Sequence, residues 1–272
     1  MKQSKPAPRP LALQPARVAP PRVRAVPAVT RAIAILRLLG RNRTPLGVKA
    51  IAQALDLVPS TCLHILRALV LEQLLKVDPA TKRYSLGTGM LPLARAVLAN
   101  SGFATLVQPE LDRLSERYGV TAIGVEVVGL KHMIVVALSR AQAPVRLHVD
   151  VGSRFPALIS ATGRCVAAFG QHSWDEVEKR FRTLHWHNAP KYEAWRKDIE
   201  SARRKGYSID RGNYINGVVI VAVPVLTTQQ TISHTIVAIG LGDQLDQATA
   251  VSLAQDMRAA AETVASQTIS QP

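Results

Sequence analysis

Hydrophobic positions near the start of the chain recur at helical spacing in three consecutive segments. They predict helices over residues 29–39, 46–55 and about 60–72. Residues 56–58, between the second and third segments, suit a tight turn. Pro59 suits the first turn of a helix because its missing N–H is not needed there. The pattern therefore predicts a helix-turn-helix.

The third predicted helix has two different faces. One side is predicted to be a buried apolar stripe of Leu63, Leu66 and Val70. The other side is polar and cationic and carries Ser60, His64 and Arg67. A helix that is held on one side and offers donors on the other can read the DNA major groove. Arg67 and His64 suit base edges, and Ser60 and Thr61 suit a phosphate at the helix N-terminus. The alternative is a solvated helix face.

A basic hairpin is predicted directly after this helix. Residues 75–77 and 83–86 have strand character, and the turn-rich residues 78–82 connect them. Lys82 and Arg83 lie at the tip, where they could reach backbone phosphate or the adjacent minor groove. The hairpin would complete a winged helix-turn-helix.

Residues 87–100 predict another helix, which connects this region to the rest of the chain. Its apolar stripe includes Leu93 and Val97. The stripe is either a dimerisation face or a surface that packs against its own domain, and both interpretations fit the sequence.

The remaining two-thirds of the chain mixes helical and strand patterns. Helices are predicted over 103–118, within 154–170 after Pro156, and over 192–205 and 246–268; strands are predicted over 123–127, 133–138, 145–149, 218–225 and 232–241. Helices that flank a largely antiparallel sheet give an α+β domain.

The charge of the chain is concentrated in its first third. The chain holds 34 Lys and Arg against 19 Asp and Glu, and residues 1–85 alone hold 15 basic and 3 acidic side chains. This asymmetry favours a nucleic-acid module joined to a nearly neutral domain over an evenly basic polyanion binder. The alternative is a basic tail that serves solubility.

Residues 1–27 form a leader with seven prolines, six Lys or Arg and no acidic residue. Such a segment cannot build a core, so we expect it to be disordered or extended. It could follow DNA phosphates as a basic arm or simply be solvated.

Several other classes of protein are disfavoured. There is no run of about 18 apolar residues to span a membrane, and the N-terminus lacks the apolar segment of a secretory signal. Cys62 and Cys165 lie in different predicted domains, so a disulfide framework is not expected. Cys62 is interpreted as a small packing residue. These features favour the cytoplasm.

Sequence patterns of catalysis are also missing. Ser160 has no G-x-S-x-G or S-x-x-K context, and no phosphate-binding glycine motif opens a helix. His185 and His187 could chelate a metal, but without a nearby carboxylate or cysteine pattern a surface loop is favoured. We therefore predict no enzyme activity, no metal site and no cofactor.

The order of these motifs resembles that of IclR-type bacterial transcriptional regulators over roughly residues 28–268. In the first region the resemblance rests on AIAILRLLG, IAQALDLVPSTCLHILRAL and DPATKRYSLG; in the second it rests on VGSRFPALISATGRCVAAFG and ARRKGYSIDRGNYINGVVIVAVPV. The resemblance implies a winged helix-turn-helix over 28–87, a linker helix over 88–102 and a GAF-like effector-binding domain over 103–268.

The resemblance also implies a small-molecule cavity between a small-residue helix and the central strands of the second domain. The positions carried over are Ser160, Ala161, Thr162, Gly163, Asp210, Asn213, Val218, Ile220, Gly240 and Gly242.

Several of these positions depart from the family pattern. Asn213 stands where Glu is usual, Ile220 where a small or thiol residue is usual, and Gly240 and Gly242 where Ser is frequent. Lys is usual at Arg164, for which a structural or ligand-orienting role is favoured. The departures indicate either a larger, more apolar ligand or a vestigial cavity.

The sequence thus predicts a regulator that binds a pseudo-palindromic double-stranded operator as a homodimer, or as a tetramer of paired dimers, because one helix-turn-helix makes few base contacts. A small-molecule effector, aromatic or an organic acid, would control it. The alternatives are an enzyme tethered to nucleic acid and an architectural DNA-binding protein without a ligand.

Overall fold

The computed structural model describes residues 26–42, 44–99, 102–140 and 149–269. The chain divides into two compact units, the first ending at Leu93 and the second beginning at Ala94. Residues 1–25 of the predicted leader and most of the strand expected over 145–149 lie outside the described residues, whereas Pro27, the last leader residue, begins the first helix.

The first unit is a helix-turn-helix followed by a hairpin. Its elements are α1 (Pro27–Arg41), β1 (Leu46–Gly47), α2 (Val48–Ala54), α3 (Pro59–Leu71), β2 (Leu75–Val77) and β3 (Arg83–Leu86). The three strands form an antiparallel sheet in the order β1-β3-β2. Pro59 occupies the first turn of α3, and the predicted hairpin is confirmed.

The buried face of α3 differs slightly from the predicted stripe. Cys62, Leu66 and Leu69 are buried in the core of the first unit, whereas Leu63 and Val70 are half-buried. The core face is therefore rotated from the predicted one, and Cys62 is confirmed as a packing residue.

The connecting helix α4 (Met90–Ala99) begins later than predicted. The amides of Gly87 and Gly89 donate to the Leu74 and Gln73 carbonyls, and a Cβ on Gly87 would lie 2.2 Å from the Gln73 carbonyl oxygen. Residues 87–89 are thus held against the turn that follows α3, and the helix starts only after them. Residues 91–97, which include Leu93 and Val97 of the apolar stripe, are all exposed.

The second unit is a six-stranded antiparallel sheet with helices on both faces. Its elements are α5 (Gly102–Tyr118), β4 (Thr121–Val128), β5 (His132–Leu138), β6 (Arg154–Pro156), α6 (Ser160–Phe169), α7 (Trp174–Phe181), α8 (Tyr192–Lys205), β7 (Ser208–Arg211), β8 (Val218–Leu226), β9 (Ile232–Leu241) and α9 (Gln247–Ile269). The strand order is β6-β5-β4-β9-β8-β7.

The two faces of this sheet carry separate cores. Helices α5 and α9 cover one face, where Ile236 and Ala238 point, and α6 covers the other, where Val237 and Ile239 point. Side chains alternate along a strand, so neighbouring residues of β9 belong to different cores. The face of the sheet to which a residue points, which alternates along the strand, therefore decides which core or cavity its side chain can reach.

Four short elements were not predicted: β1, β6, α7 and β7. Strands of two to four residues give too few alternating positions to be recognised. In α7 only Val177 is buried, so an apolar stripe is missing. Its local signal is the capping box in which Ser173 and Glu176 bond each other's backbone amides.

Within the described ranges, no single helix is both long and apolar enough to cross a membrane. Two bent pairs of successive helices have the length and apolar composition of a membrane span when each pair is taken together.

Candidate functional site

The predicted DNA-reading face of α3 lies on the outside of the first unit. Ser60, His64 and Arg67 are exposed and Thr61 is half-buried, while Leu66 on the opposite side is fully buried. The side chains of His64 and Arg67 form no hydrogen bond or ion pair in the part of the chain that the structure describes. Both are therefore available to an external partner.

The wing tip is shaped by Asp78. Its Oδ1 accepts hydrogen bonds from the amides of Ala80 at 2.8 Å and Thr81 at 3.0 Å. These bonds, with the Thr81 amide first, lower the pKa of the Asp78 carboxyl, so the tip carries a fixed carboxylate.

Lys82 and Arg83 follow this turn and are both exposed. Arg83 donates from Nη1 to the Pro45 carbonyl at 3.3 Å, which holds it across the edge of the sheet. Lys82 has a left-handed φ of 53°. Its ammonium makes no hydrogen bond or ion pair among the described residues and interacts only electrostatically with Asp78. Of the two cations, Lys82 is the freer to meet a phosphate.

A second candidate site is a cavity of about 310 Å³ on the α6 face of the second unit. Its walls are mostly apolar. The sheet contributes Ile123, Val125, Met133, Ile220, Val237 and Ile239, and the other wall consists of Val149, Phe155, Ile159, Ser160, Thr162, Tyr214 and Ile215. A mostly apolar concavity with a few polar groups is typical of a small-molecule site.

Three hydroxyl-bearing residues supply the polar side chains of the cavity. Ser160 and Thr162 are 3% and 1% exposed, and across the described residues neither hydroxyl has a hydrogen-bond partner. Ser160 adopts a left-handed φ of 58°, a strained conformation for a residue with a Cβ. Burial raises the pKa of Tyr214, so its phenol stays neutral.

Helix α6 also presents backbone donors near the cavity. Its N-cap residue, Ile159, has no side chain that could bond the first-turn amides. Such amides lack helical acceptors and favour a negatively charged or oxygen-bearing group. The polar side of the cavity is therefore the start of α6.

Asp210 and Asn213 lie at a buried arginine rather than in the cavity wall. Arg164 is 2% exposed. Its Nη2 donates to Asn213 Oδ1 at 2.9 Å, and its Nη1 lies 3.5 Å from Asp210 Oδ2. Its Nε donates to Asp198 Oδ2 at 3.2 Å. Two carboxylates thus neutralise a guanidinium that would otherwise be costly to bury.

Three other predicted residues support the cavity without lining it. Ala161 and Val218 are buried in the core on the same face of the sheet. A Cβ on Gly163 would lie 2.0 Å from the Leu158 carbonyl group, so glycine is needed there for α6 to approach the preceding backbone.

The prediction that Gly240 lines the cavity is wrong. A Cβ on Gly240 would meet Leu245 at 2.7 Å and Val120 at 3.2 Å, and both belong to the core under α5 and α9. Gly242 lies beyond the end of β9, where its amide donates to the Gly217 carbonyl at 2.8 Å. It does not line the cavity either.

Sequence reasoning missed most of the residues that do form the cavity. Of the predicted set, Ser160, Thr162 and Ile220 line it. Val237 and Ile239 could have been found from the alternation of β9 once one residue's face was known. Tyr214 follows Asn213 directly in the chain, but nothing in the sequence pattern distinguishes its side chain from a loop aromatic.

The buried thiol of Cys165 is not a nucleophile. Burial raises its pKa to about 12, and its Sγ donates to the Ala222 carbonyl at 3.4 Å. A neutral, enclosed thiol of this kind is inert.

Comparisons with known proteins agree with this organisation. Residues 28–79 match the family model of the IclR helix-turn-helix domain, and residues 95–266 match the model of the C-terminal domain of IclR bacterial transcriptional regulators. The chain is 29% identical over 207 residues to the glycerol operon regulatory protein of Streptomyces griseus, covering 74% of this chain and 80% of that protein.

Solved structures show the same fold. An IclR transcriptional regulator from Alicyclobacillus acidocaldarius aligns with a TM-score of 0.79 and 26% identity, covering 89% of this chain and 99% of that one. An IclR homologue from Microbacterium hydrocarbonoxydans, solved in complex with 4-hydroxybenzoate, aligns with a TM-score of 0.72 and 19% identity, covering 88% and 98%.

Proposed function

The chain belongs to the IclR family of bacterial transcriptional regulators, and we propose that it binds a pseudo-palindromic operator as a dimer or tetramer whose affinity is set by an aromatic effector. The family consists of regulators with a DNA-binding helix-turn-helix and an effector domain, not of enzymes. The cytoplasm, where the DNA lies, is the proposed compartment.

The orientation of α3 is the main observation that supports the DNA-binding proposal. Its buried side is fixed in the core by Leu66, so Arg67 and His64 face outward with unpartnered side chains. Arg67 would read guanine through a bidentate contact, and His64 would donate to a base edge or a phosphate. Ser60 and Thr61 would hold phosphate at the helix N-terminus.

The wing would hold the DNA backbone. Lys82 is the freer cation and is assigned a phosphate contact. Arg83 remains a second contact, although it would have to give up or share its bond to the Pro45 carbonyl.

Dimerisation is proposed from the exposed face of α4. Leu91, Leu93 and Val97 are 66%, 58% and 69% exposed. A run of large apolar side chains is unusual on a free surface and is typical of an interface. A second copy placed on this helix would provide the second half-site contact that specific operator binding needs.

The proposed effector is an aromatic or similarly bulky apolar compound with one hydroxyl or carboxylate. The cavity is apolar except for the Ser160, Thr162 and Tyr214 hydroxyls, and its volume of about 310 Å³ suits a compound of one ring. The bound 4-hydroxybenzoate of the Microbacterium homologue is a compound of this class. Because the cavity has kept this volume and its hydroxyl groups, we favour a bound ligand over a vestigial cavity.

The DNA-binding assignment is tested with fragments selected from the source genome by the purified full-length protein. Arg67→Ala should weaken operator binding by about 1–3 kcal/mol and relax the preference at one position. Lys82→Ala should weaken all sequences nearly equally and make the salt slope shallower by about 1. Unchanged affinity and preference for Arg67→Ala would show that α3 does not read bases.

A further inference from the structure

One wall of the effector cavity is a short loop between β7 and β8. Residues 212–217 form it, and Tyr214 and Ile215 line the cavity. The loop begins and ends with glycines in the left-handed region, Gly212 at φ 78° and Gly217 at φ 73°. Side chains with a Cβ rarely adopt this conformation, so the backbone bends at these two points.

Asn213 fixes the loop through four hydrogen bonds. Its amide donates to Asp210 Oδ1 at 2.8 Å, and its side-chain Oδ1 accepts from Arg164 at 2.9 Å. Its Nδ2 donates to the Asn188 carbonyl at 3.2 Å, and its own carbonyl accepts from the Asn188 amide at 2.9 Å. Because Asn213 directly precedes Tyr214, these contacts hold the backbone from which the phenol projects, and the His187 amide holds it further by donating to the Tyr214 carbonyl at 3.3 Å.

Arg164 connects this loop to the polar side of the cavity. It stands on α6 one turn after Ser160, so the helix that presents Ser160 and Thr162 to the ligand also holds the loop that presents Tyr214. Asp198 and Asp210 engage the guanidinium from α8 and β7. Arg164 therefore reaches the cavity wall directly through Asn213 and indirectly through Asp210, which accepts the Asn213 amide.

The phenol of Tyr214 is free to bind a ligand. Its hydroxyl makes no hydrogen bond within the described portions of the chain, and the residue is half-buried. A neutral phenol donates to an acceptor such as a carboxylate or hydroxyl oxygen. It faces a cavity whose remaining side chains are mostly hydrocarbon.

We infer that Arg164 is a positioning residue of the effector site, acting through Asn213 to hold Tyr214 against the cavity, where the phenol selects ligands that carry a polar acceptor. This rests on the proposed effector function of the cavity. Neither residue contacts the ligand in this scheme; Tyr214 does.

The positioning half is tested without ligand by hydrogen exchange of the full-length protein. Asn213→Leu keeps the branched side-chain shape but removes both the acceptor for Arg164 and the donor to the Asn188 carbonyl, and should speed amide exchange in residues 212–217 by about tenfold or more. Asn213→Asp keeps the acceptor and should restore most of the protection. Asn216→Leu, an exposed residue of the same loop, is the matched control and should have no effect. Equal exchange in Asn213→Leu and wild type would overturn the inference.

The selection half is tested by calorimetry with benzoate and 4-hydroxybenzoate. Tyr214→Phe should weaken at least one of them by about tenfold, the loss expected when a hydrogen bond to a charged group is removed. Asn213→Leu should weaken binding of the same compound, and Asn213→Asp should recover it. Affinities within twofold of wild type for Tyr214→Phe with both compounds would exclude the phenol as the selecting group.

The two proposals fail in different ways. If the wild-type protein binds neither compound, the aromatic ligand class of the proposed function is wrong and the phenol has not selected such a ligand. The exchange data still decide whether Arg164 and Asn213 position Tyr214. If the compounds bind but the exchange is unchanged by Asn213→Leu, the effector site stands and the positioning role is wrong.

Discussion

The contrast between Gly240 and Gly242 shows what a single residue's direction decides. Both stand where the family often has Ser, and both were predicted to line the cavity. Gly240 faces Leu245 and Val120 in the opposite core, and Gly242 only approaches the Gly217 carbonyl, at 3.4 Å from an added Cβ. The family pattern indicates which residue types occur at these positions but not to which face of the sheet each position points.

The two glycines therefore predict different stabilities. Gly240→Ala should cost about 1–3 kcal/mol because its Cβ would overlap Leu245 Cδ1 at 2.7 Å and force repacking. Gly242→Ala should cost less than about 1 kcal/mol, since its nearest contact is an ordinary one. Urea denaturation of both variants measures the difference. Equal stability of the two variants would show that Gly240 does not face Leu245 and Val120.

A second prediction concerns His234, which stacks on Phe103 with ring centroids 4.0 Å apart. Burial lowers the pKa of His234 from 6.5 to about 4. The folded state favours the neutral imidazole, whereas the unfolded state binds a proton below about pH 6.5. The free energy of unfolding is therefore unaffected by His234 above pH 6.5 and decreases as the pH falls from 6.5 towards 4. The total is up to about 3 kcal/mol.

His234→Gln removes this titration. The free energy of unfolding should therefore fall less steeply below pH 6.5 in the variant than in the wild type, and the two curves should run parallel above pH 7. Urea titrations at half-unit pH steps give both slopes. Identical slopes between pH 6.5 and 4.5 would mean that His234 is not held neutral by burial.

At the scale of elements, the long amphipathic segments were predictable and the short ones were not. The hydrophobic periodicity of α3 and α8 places these helices to within about a residue or two, because each buries one continuous stripe. Strand β7 has only four residues, yet it supplies Asp210 to Arg164. The cavity depends on such short pieces, so its composition could not be read from periodicity.

Helix α6 depends on one small residue for its position. Gly163→Ala would place a Cβ 2.0 Å from the Leu158 carbonyl carbon and oxygen, a backbone overlap that rotamer changes cannot relieve. We expect a loss of at least about 3 kcal/mol, or failure to fold. The matched control is Gly47→Ala, where no atom lies within 4 Å of the added Cβ. Soluble yield and thermal unfolding measure both variants.

A Gly163→Ala protein with wild-type stability would show that α6 is not packed this closely against the backbone before it. Since Ser160 and Thr162 line the cavity from the same helix, the position of the cavity wall that α6 forms would then be wrong as well.

At the scale of the whole molecule, charge and motif order were enough to predict a DNA-binding region and a separate second domain. The excess of Lys and Arg in residues 1–85 marks the DNA-binding region, and the alternating strands of the remainder mark an α+β domain. The buried network around Arg164 could not be predicted, because it joins residues 34 and 49 positions away along the chain. Their meeting is a property of the folded sheet and helices.

We propose that a ligand in the cavity changes the affinity of the full-length protein for its operator. An effector can do this only by binding one arrangement of the DNA-binding regions better than another, and couplings of this kind typically reach about 1–3 kcal/mol. Ile220 is the residue with which to fill the cavity, since it lines the wall and Gly240 does not.

The most direct measurement is operator affinity by fluorescence anisotropy, with and without saturating 4-hydroxybenzoate, benzoate or succinate, for wild type and Ile220→Trp. We predict a change of about fivefold or more with at least one aromatic acid and none with succinate. Ile220→Trp should bind the operator normally and lose the response. An equal response to succinate, no response to either aromatic acid, or a full response in Ile220→Trp would contradict the account.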